Sequence, residues 1–336
     1  MLKGRKKIII ISIVIVVSVV VSTVSLIFLF RYIPINTRQL GQISTGGYAK
    51  DVDVEGEIAF IVDMMDYNPG GLVIINISNP YTPYQLGSFY DGGILTAVDG
   101  VGSIAFLANQ VNGLEIINVN NPTNPVKMDS YPGSTFDVQI EGEIAYLADW
   151  NNGLIMLNVS NPSEVSFISQ FSIPGACIHV DIYEDIAYVT DHYGDYTGLR
   201  LIDVSDPFHP FQIGSYLPNG IDFWNPIIEG NYAYIGNHAP AGGGLHILDI
   251  SDPSDIHQVG LYYGGGSIFA ADVQGTNIFC ANCEIGLEVL DMSDPINLQK
   301  IGQYYDGGCA HNIAVVNNYA YLADQQDGLE IIEILI

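Results

Sequence analysis

Indole and imidazole side chains are concentrated in the middle of this 336-residue chain. Both tryptophans, Trp150 and Trp224, lie between positions 150 and 238 with four of the seven histidines, of which His179, His192 and His238 are the candidates. Such rings combine a flat apolar face with hydrogen-bonding nitrogens, and groups of this kind that converge in a concavity form the usual small-molecule site. We therefore predict that these five residues belong to one ligand-binding site.

No motif for catalysis accompanies these residues. The sequence has no Gly-x-Ser-x-Gly elbow, no His-Glu-x-x-His pair and no phosphate-binding loop. Carboxylate pairs can hydrolyse glycosidic bonds, but any acidic surface offers such pairs. We therefore predict a protein without enzymatic activity and without a cofactor. The alternative is a hydrolase or lyase that acts on an extracellular polymer through His179, His192, His238 and nearby carboxylates.

Aspartate and asparagine recur at two fixed places in the chain. One set ends seven similar runs: Asp63, Asn109, Asp149, Asp191, Asn237, Asn282 and Asp324. The other set precedes proline or a turn: Asn79, Asn121, Asn161, Asp206, Asp252 and Asp294. Side chains of this type cap the backbone of the turn that follows them. Because they recur in nearly every copy, we predict that they form turns and bind no metal, and no segment matches the EF-hand calcium loop.

The four cysteines leave two interpretations open. Cys280 and Cys283 have C-x-x-C spacing, but the redox motif of that spacing opens a helix, and Cys280 occupies an apolar slot that Leu147 and Leu322 fill in other copies. A disulfide outside the cell is one interpretation, and a buried thiol is the other. Zinc is not predicted, because a second pair with matching spacing is missing.

A repeated stretch of the chain indicates how these residues are positioned. Gly-Leu pairs open it at positions 71, 113, 153, 198, 244, 286 and 328, so the spacings are 42, 40, 45, 46, 42 and 42 residues. A period of about 40–45 residues is typical of propeller blades. Apolar residues at three- and four-residue spacing, which helical repeats need, do not accompany it.

Each repeat contains four runs that resemble strands. In the fourth repeat these are residues 178–182, 186–191, 199–204 and 211–216, separated by Gly, Pro, Asn and Asp. The third run is apolar on both faces, which a sheet packed between two neighbouring sheets requires. The second run carries alanine at one position in six copies, and this small side chain suits close packing of sheets.

The ends of the repeated region predict a closed ring. It opens with a run of the fourth type at residues 40–43 and closes with one of the third type at residues 328–332. The first strand therefore supplies what the last sheet lacks, which removes two exposed edges. We predict an all-β, seven-bladed β-propeller over residues 40–336, with its N- and C-terminal strands sharing the last blade.

In a propeller, the turn before the innermost strand and the loop between the second and third strands lie on the same face. The candidate residues are therefore predicted to lie on that face. Three of these loops are longer than the rest, at residues 64–69, 192–197 and 238–243. His179 and Trp224 occupy matching positions near the starts of two inner strands. The predicted site therefore lies on the face of blades three to five.

Several runs also carry a family resemblance. Leu72-Val73-Ile74-Ile75-Asn76 and residues 287–291 resemble the strand that names the LVIVD-repeat family, and the Ala-Tyr-Leu-Ala-Asp run at residues 145–149 looks like the same family. The resemblance extends over residues 40–336, although the last copy lacks the Ser-Asp-Pro that follows the strand elsewhere. It implies a β-propeller, commonly on prokaryotic surface proteins, and it carries no catalytic residues.

The N-terminal segment predicts a membrane anchor. Residues 1–7 contain four basic residues, and residues 8–30 contain no charge, Pro or Gly, which is long enough for a helix to span the bilayer. Residues 31–39 form a short tether. The positive-inside rule leaves the N-terminus in the cytoplasm and the propeller outside. A cleaved signal peptide is the alternative, but the apolar segment is longer than such peptides carry and contains no Ala.

The charge distribution limits the partners. The formal net charge is −27, and all 37 acidic residues follow Arg31. Nucleic acid is excluded as a partner because phosphate contacts need Lys and Arg. The acidity is explained either by solubility or by attraction of divalent cations and cationic partners. We therefore predict a single-pass extracellular binding module at the cell membrane, with an extracellular protein or glycan as partner. A purely structural envelope component is a further alternative.

Overall fold

Strands account for all the regular secondary structure that the structure describes. It is a computed structural model that describes residues 35–64, 71–90, 92–192, 197–218, 220–237, 243–305 and 307–335. The predicted basic segment and membrane helix lie outside these residues, as does most of the tether. No helix in the described ranges has the length and apolar character needed to cross a membrane.

The described strands form seven antiparallel sheets of four strands each. Blade 1 consists of β2 (Tyr48–Glu55), β3 (Ile58–Met64), β4 (Gly71–Asn76) and β5 (Tyr84–Phe89), and blade 2 of β6 (Leu95–Val101), β7 (Ile104–Asn109), β8 (Gly113–Asn118) and β9 (Val126–Tyr131). Blade 3 consists of β10 (Thr135–Glu141), β11 (Ile144–Asp149), β12 (Gly153–Asn158) and β13 (Ser166–Phe171), and blade 4 of β14 (Ala176–Tyr183), β15 (Ile186–His192), β16 (Gly198–Asp203) and β17 (Phe211–Tyr216). Blade 5 consists of β18 (Phe223–Glu229), β19 (Tyr232–Asn237), β20 (Gly244–Asp249) and β21 (His257–Tyr262), and blade 6 of β22 (Ile268–Gln274), β23 (Asn277–Asn282), β24 (Gly286–Asp291) and β25 (Gln299–Tyr304). Blade 7 combines β26 (Ala310–Val316), β27 (Tyr319–Asp324) and β28 (Gly328–Leu335) with β1 (Asn36–Ile43).

The core lies between adjacent blades. Every third strand has five consecutive buried residues, as a sheet packed on both faces requires, although one of the five is polar or charged in five blades: Glu115, Arg200, His246, Glu288 and Glu330. Phe60 and Leu72 of blade 1, for example, pack in one cluster with Leu107 of blade 2. The recurring alanine of the second strand is fully buried, as at Ala59 and Ala105. The inner strands contact one another in an uninterrupted cycle, so the seven sheets form a closed propeller.

The ring closes where the prediction placed the closure. Strand β1 pairs antiparallel with β28, from Asn36 opposite Leu335 to Ile43 opposite Leu329. It begins at Asn36, four residues earlier than the sequence pattern indicates. Arg38 forms an ion pair with Glu333 at 2.5 Å. The closing strand therefore pairs with β28 along its length, apart from a register shift between Gln39 and Gly41, and leaves β28 without a free edge.

A glycine in several outer strands allows neighbouring blades to approach closely. A Cβ on Gly41 of β1 would collide with the carbonyl oxygen of Pro80, and one on Gly87 of β5 would collide with that of Pro122. Each glycine lies at or beside a register shift in its strand. The loop between the third and fourth strands of the next blade therefore packs directly on the glycine backbone, which explains why Gly recurs in the fourth run.

We expect Gly41→Val to destabilise the protein by about 1–3 kcal/mol, because the new side chain would overpack the contact between the closing strand and blade 1. Gln42→Val is the matched control: Gln42 is the next residue of the same strand and is exposed, so its substitution should change stability by no more than about 0.5 kcal/mol. The measurement is denaturant unfolding. Equal stability of the two variants would contradict the packing of β1 described above.

A disulfide joins blades 6 and 7. Cys283, which follows β23, is bonded to Cys309, which precedes β26. Cys177 and Cys280 are buried free thiols, and burial raises the pKa of each. Both sequence interpretations therefore hold, each for a different member of the C-x-x-C pair: Cys280 fills the core, whereas Cys283 forms a disulfide.

Cys283→Ser combined with Cys309→Ser should lower the free energy of unfolding by about 2–4 kcal/mol, because the disulfide closes a loop of sequence separation 26 and restricts the unfolded chain. Unfolding curves with and without a reductant provide the test. The native protein should lose stability in the reductant, and the double variant should not respond to it. An unfolding free energy of the native protein that is the same with and without the reductant would contradict the disulfide.

Candidate functional site

A β-bulge at the start of each inner strand positions the site. In blade 4, Cys177 pairs with Asp191 and His179 pairs with Thr190, so Ile178 is one residue too many for the partner strand. The same register shift occurs in the inner strand of every blade. A bulge of this kind redirects its extra side chain. The seven bulge residues are Lys50, Thr96, Phe136, Ile178, Trp224, Phe269 and His311.

These seven side chains surround a cavity of about 200 Å³ at the propeller axis, which we call the mouth. The residue after each bulge also lines the mouth: Asp51, Ala97, Asp137, His179, Asn225, Ala270 and Asn312. Gln110, Trp150 and His192 complete the lining from the ends of second strands or just beyond them. Every blade therefore contributes to one concave site.

The mouth brings together four of the five predicted residues: Trp150, His179, His192 and Trp224. His238 and most of the three long loops lie outside the described residues. One alignment was wrong. Trp224 does not match His179, because the bulge of blade 5 places Trp224 in register with Ile178 and Asn225 in register with His179.

Sequence reasoning missed Lys50, Phe136, Phe269 and His311. No one of them stands out in the chain, since Phe and Lys occur elsewhere and His311 lies outside the cluster of histidines. Their shared signal was positional: each stands two residues before the first inward-packing apolar residue of an inner strand, such as Val52 or Ile313. In a regular strand, side chains two residues apart point to the same face, so this position would be assigned to the interior of the blade. The bulge redirects its side chain into the mouth.

Trp224 is the centre of an aromatic wall. Its ring centroid lies 5.7 Å from that of His179, 5.6 Å from His192, 4.9 Å from Phe269 and 6.0 Å from His311. Phe269 and His311 stack on each other at 4.6 Å with an interplanar angle of 8°. A second pair, Phe136 and Trp150, stacks at 4.8 Å. The mouth therefore presents ring faces contributed by blades 3 to 7.

The polar groups of this wall are held in defined states. His192 Nε2 donates a hydrogen bond to the carbonyl oxygen of Phe223 at 2.5 Å, and burial lowers the pKa of His192. Lys50 Nζ donates to His311 Nε2 at 2.9 Å. Burial and the adjacent ammonium lower the pKa of His311 to about 3, and burial lowers that of Lys50. Both imidazoles are therefore neutral near pH 7.

Three polar groups of the mouth remain available. The buried Nε1 of Trp224 has no hydrogen-bond partner among the described residues. The side-chain amides of Gln110 and Asn225 also make no hydrogen bond within the described part of the chain. A buried donor without a partner is costly, so these groups are ready to bond to a ligand or water.

Below the mouth, a channel of about 280 Å³ runs between the inner strands and is lined by carboxylates. The carboxylates are Asp51, Asp53, Asp99, Asp137, Asp181 and Asp272. They bridge blades: Asp51 Oδ2 accepts from the Val98 N–H at 2.7 Å, and Asp99 Oδ2 accepts from the Ile140 N–H at 2.6 Å. The alternation of Asp and Val in residues 51–53 was the sequence signal for this lining.

Burial is the main influence on the charge of the channel. It raises the pKa of Asp51 to about 8, that of Asp99 to about 7 and that of Asp181 to about 6. The N–H donors act in the opposite direction, and neighbouring carboxylates add to the rise. The channel therefore carries less negative charge at neutral pH than six free carboxylates would, chiefly because of Asp51 and Asp99.

The repeated Asp and Asn side chains form turns, as predicted. Asn109 Oδ1 accepts hydrogen bonds from the N–H groups of Val111 and Asn112, and Asp149 Oδ1 does the same for Asn151 and Asn152. The set before proline behaves likewise, as where Asn79 Oδ1 accepts from the Tyr81 N–H. In the described ranges, no three His, Cys, Asp or Glu side chains are grouped to hold a metal ion.

Fold and mouth together define a seven-bladed β-propeller with its candidate site on the central axis. The chain belongs to the LVIVD repeat family, whose repeat matches residues 46–91, 101–132, 132–172, 174–217, 224–263 and 307–334. The resemblance seen in the third strands is thereby confirmed. No curated protein matches the sequence.

Several solved structures share the propeller. YCF48 from Cyanidioschyzon merolae is 9% identical, with a TM-score of 0.64, over 89% of this chain and 98% of that chain. The computationally designed Ika8 protein is 8% identical, with a TM-score of 0.61, over 88% and 99%. The N-terminal domain of Nup159 is 9% identical, with a TM-score of 0.60, over 90% and 96%. At these identities the similarity concerns the fold alone.

Relative to the native protein, Asp99→Asn should become more stable as the pH rises from about 5 to about 8. The unfolded Asp99 ionises above about pH 4, whereas burial keeps the folded carboxyl protonated up to about pH 7. Rising pH therefore lowers the stability of the native protein across this window. Above the window, Asp99 is ionised in both states and no longer makes stability depend on pH. The amide cannot ionise and still offers an oxygen to the Ile140 N–H.

The measurement is denaturant unfolding of both proteins at each pH, so that the contributions of Lys50, His192 and His311 cancel. Glu143→Gln removes a carboxylate from an exposed turn and serves as the control. A stability difference between Asp99→Asn and the native protein that stays constant from about pH 5 to about pH 8 would contradict the raised pKa.

Proposed function

We propose that this protein is a binding module, held outside the cell by a helix at residues 8–30, which receives its ligand at the mouth. The observation that carries the binding role is the convergence of side chains from all seven inner strands on one cavity. Strands hold these side chains in place, so little ordering remains to be done when a ligand binds.

Two features support a location outside the cell. The apolar segment at residues 8–30 follows four basic residues, which favours a cytoplasmic N-terminus. The disulfide between Cys283 and Cys309 is of a kind that persists in oxidising compartments and is rare in the cytosol.

The surroundings of the mouth favour a large partner. Exposed tyrosines occupy turns that lead into inner strands and therefore lie on the same face as the mouth: Tyr90, Tyr263 and Tyr305, with exposed fractions of 51%, 69% and 57%. Tyrosine is enriched at interfaces because its ring packs on apolar surface while its hydroxyl forms hydrogen bonds with water or polar groups. An extracellular protein or glycan could contact this rim while one of its groups enters the mouth.

Binding is a better interpretation than hydrolysis for the imidazoles of the mouth. His192 uses one nitrogen for the Phe223 carbonyl, and His311 uses one for Lys50. Both are neutral at pH 7. A general base is ordinarily oriented by a carboxylate, and the third imidazole, His179, has its Nδ1 3.5 Å from Asp137 Oδ2, longer than the about 2.7–3.2 Å of a well-formed hydrogen bond. We therefore expect no turnover of generic esterase, glycosidase or phosphatase substrates.

An epitope tag placed after residue 336 should be cleaved from intact bacterial cells by added protease, because the proposed topology puts the propeller outside. Deletion of residues 8–30 is the control and should leave the tag protected inside the cell. Protection of the tag in the full chain, with cleavage only after lysis, would reject the extracellular location.

Intrinsic tryptophan fluorescence should report binding at the mouth, because both tryptophans of the protein line it. We expect a saturable change with at least one of three probes: a neutral methyl glycoside, tetramethylammonium or benzoate. Combining His179→Ala with Asn225→Ala should abolish the change, whereas Gln170→Ala, on the exposed side of β13, should preserve it. The absence of a saturable response to all three classes would reject the mouth as a binding site.

A further inference from the structure

We propose that the mouth binds the terminal sugar residue of a neutral glycan, an inference that rests on the proposed binding function and specifies its ligand. The mouth combines three properties: two pairs of stacked aromatic rings, uncharged amides that both donate and accept hydrogen bonds, and charged groups that already have partners. These properties together match a ring that is apolar on its faces and carries hydroxyl groups around its edge.

The aromatic faces supply surfaces for a sugar ring. Phe136 and Trp150 form one platform, with an interplanar angle of 28°, and Phe269 and His311 form another. The face of an aromatic ring is electronegative, and the C–H bonds on the face of a pyranose ring carry a small positive charge. A sugar can therefore pack on either platform while its hydroxyl groups point sideways.

The free amides supply the edge contacts. Gln110 extends from blade 2, and Asn225 belongs to blade 5, so the amides approach the mouth from well-separated blades. Each amide offers a donor and an acceptor, which suits neighbouring hydroxyl groups that both accept and donate. Trp224 Nε1 adds a donor that has no partner among the described residues.

The charges of the mouth favour a neutral ligand. Lys50 donates one of its three N–H groups to His311, and the Asp51 carboxylate also lines the mouth, so an anion drawn to the ammonium would also meet a negative group. Asp51 accepts hydrogen bonds from the Val98 N–H and the Asn312 amide, and Asp137 accepts one from the Val180 N–H. A charged ligand would meet groups of both signs at close range and would lose its hydration, which costs more than burying a hydroxyl group.

The size of the mouth limits the ligand to one ring. A volume of about 200 Å³ has room for a single monosaccharide, below the range of cavities that hold drug-sized molecules. Inner strands surround the mouth on every side, so a sugar chain enters it end-on from the open face. The ligand is therefore the end of a glycan rather than an internal unit.

The test uses the full chain in a detergent without a sugar headgroup, and tryptophan fluorescence as the readout. The probes are the methyl glycosides of glucose, galactose, mannose and N-acetylglucosamine, with tetramethylammonium and benzoate for comparison. We expect at least one glycoside to give a saturable change. Asn225→Ala and Gln110→Ala should each weaken its binding about tenfold, the loss of one well-made hydrogen bond. Gln170→Ala should bind as the native protein does.

The outcomes separate the ligand class from the binding function. A response to tetramethylammonium alone, strengthened by Asn225→Asp, would overturn the glycan and establish a cation site, while leaving the mouth a binding site. A response to benzoate alone would contradict a glycan ligand and indicate an anion-binding site. Glycoside affinity that is unchanged by both amide substitutions would also contradict the proposal, because the sugar would then bind outside the mouth. No response to any probe would reject the proposed function itself.

Discussion

The innermost strand of each blade has a partner on one side only, and the structure depends on how its unpaired N–H groups are satisfied. An edge strand at the axis would otherwise leave buried donors without acceptors. Aspartate side chains of the preceding blade accept these bonds, as Asp99 does from Ile140 and Asp137 does from Val180. The same solution binds each blade to the next and concentrates carboxylates along the axis. Burial raises the pKa of Asp51 and that of Asp99, which limits the repulsion among the carboxylates of the channel.

The bulge separates the residues that build the fold from those that build the mouth. Residues after it alternate between packing and bridging, and their types vary little: Val or another apolar residue faces the core, as Val52 and Val180 do. The bulge residue itself contributes no paired position to the sheet, so its type is free to vary. It is Lys50 in blade 1, Trp224 in blade 5 and His311 in blade 7. A ring of seven equivalent backbone positions thereby becomes an asymmetric pocket.

The sequence was sufficient for the number of blades and for the closure, because both follow from period and phase. A third-type run that opens with Gly-Leu recurs seven times, and a fourth-type run precedes the first complete copy. The rarity of tryptophan then identified Trp150 and Trp224. The register of the inner strands was not predictable, since a bulge inserts one residue without leaving a Gly or Pro as a mark, and for that reason Trp224 was aligned one position off. The partner of Cys283 was equally hidden, because Cys309 lies 26 residues away and meets it only through packing of adjacent blades.

Closure and disulfide act on the part of the ring that carries the aromatic wall. The pairing of β1 with β28 completes blade 7, and the Cys283–Cys309 bond joins that blade to blade 6 on the side of the mouth. Phe269 and His311, which stack across the boundary between these two blades, come from their inner strands, β22 and β26. A stack between blades is only as rigid as the contact between them, so any slippage would open the wall beside Trp224. The covalent link therefore restrains the geometry of the mouth as well as the ring, and a preorganised mouth keeps more of its contact energy for its ligand.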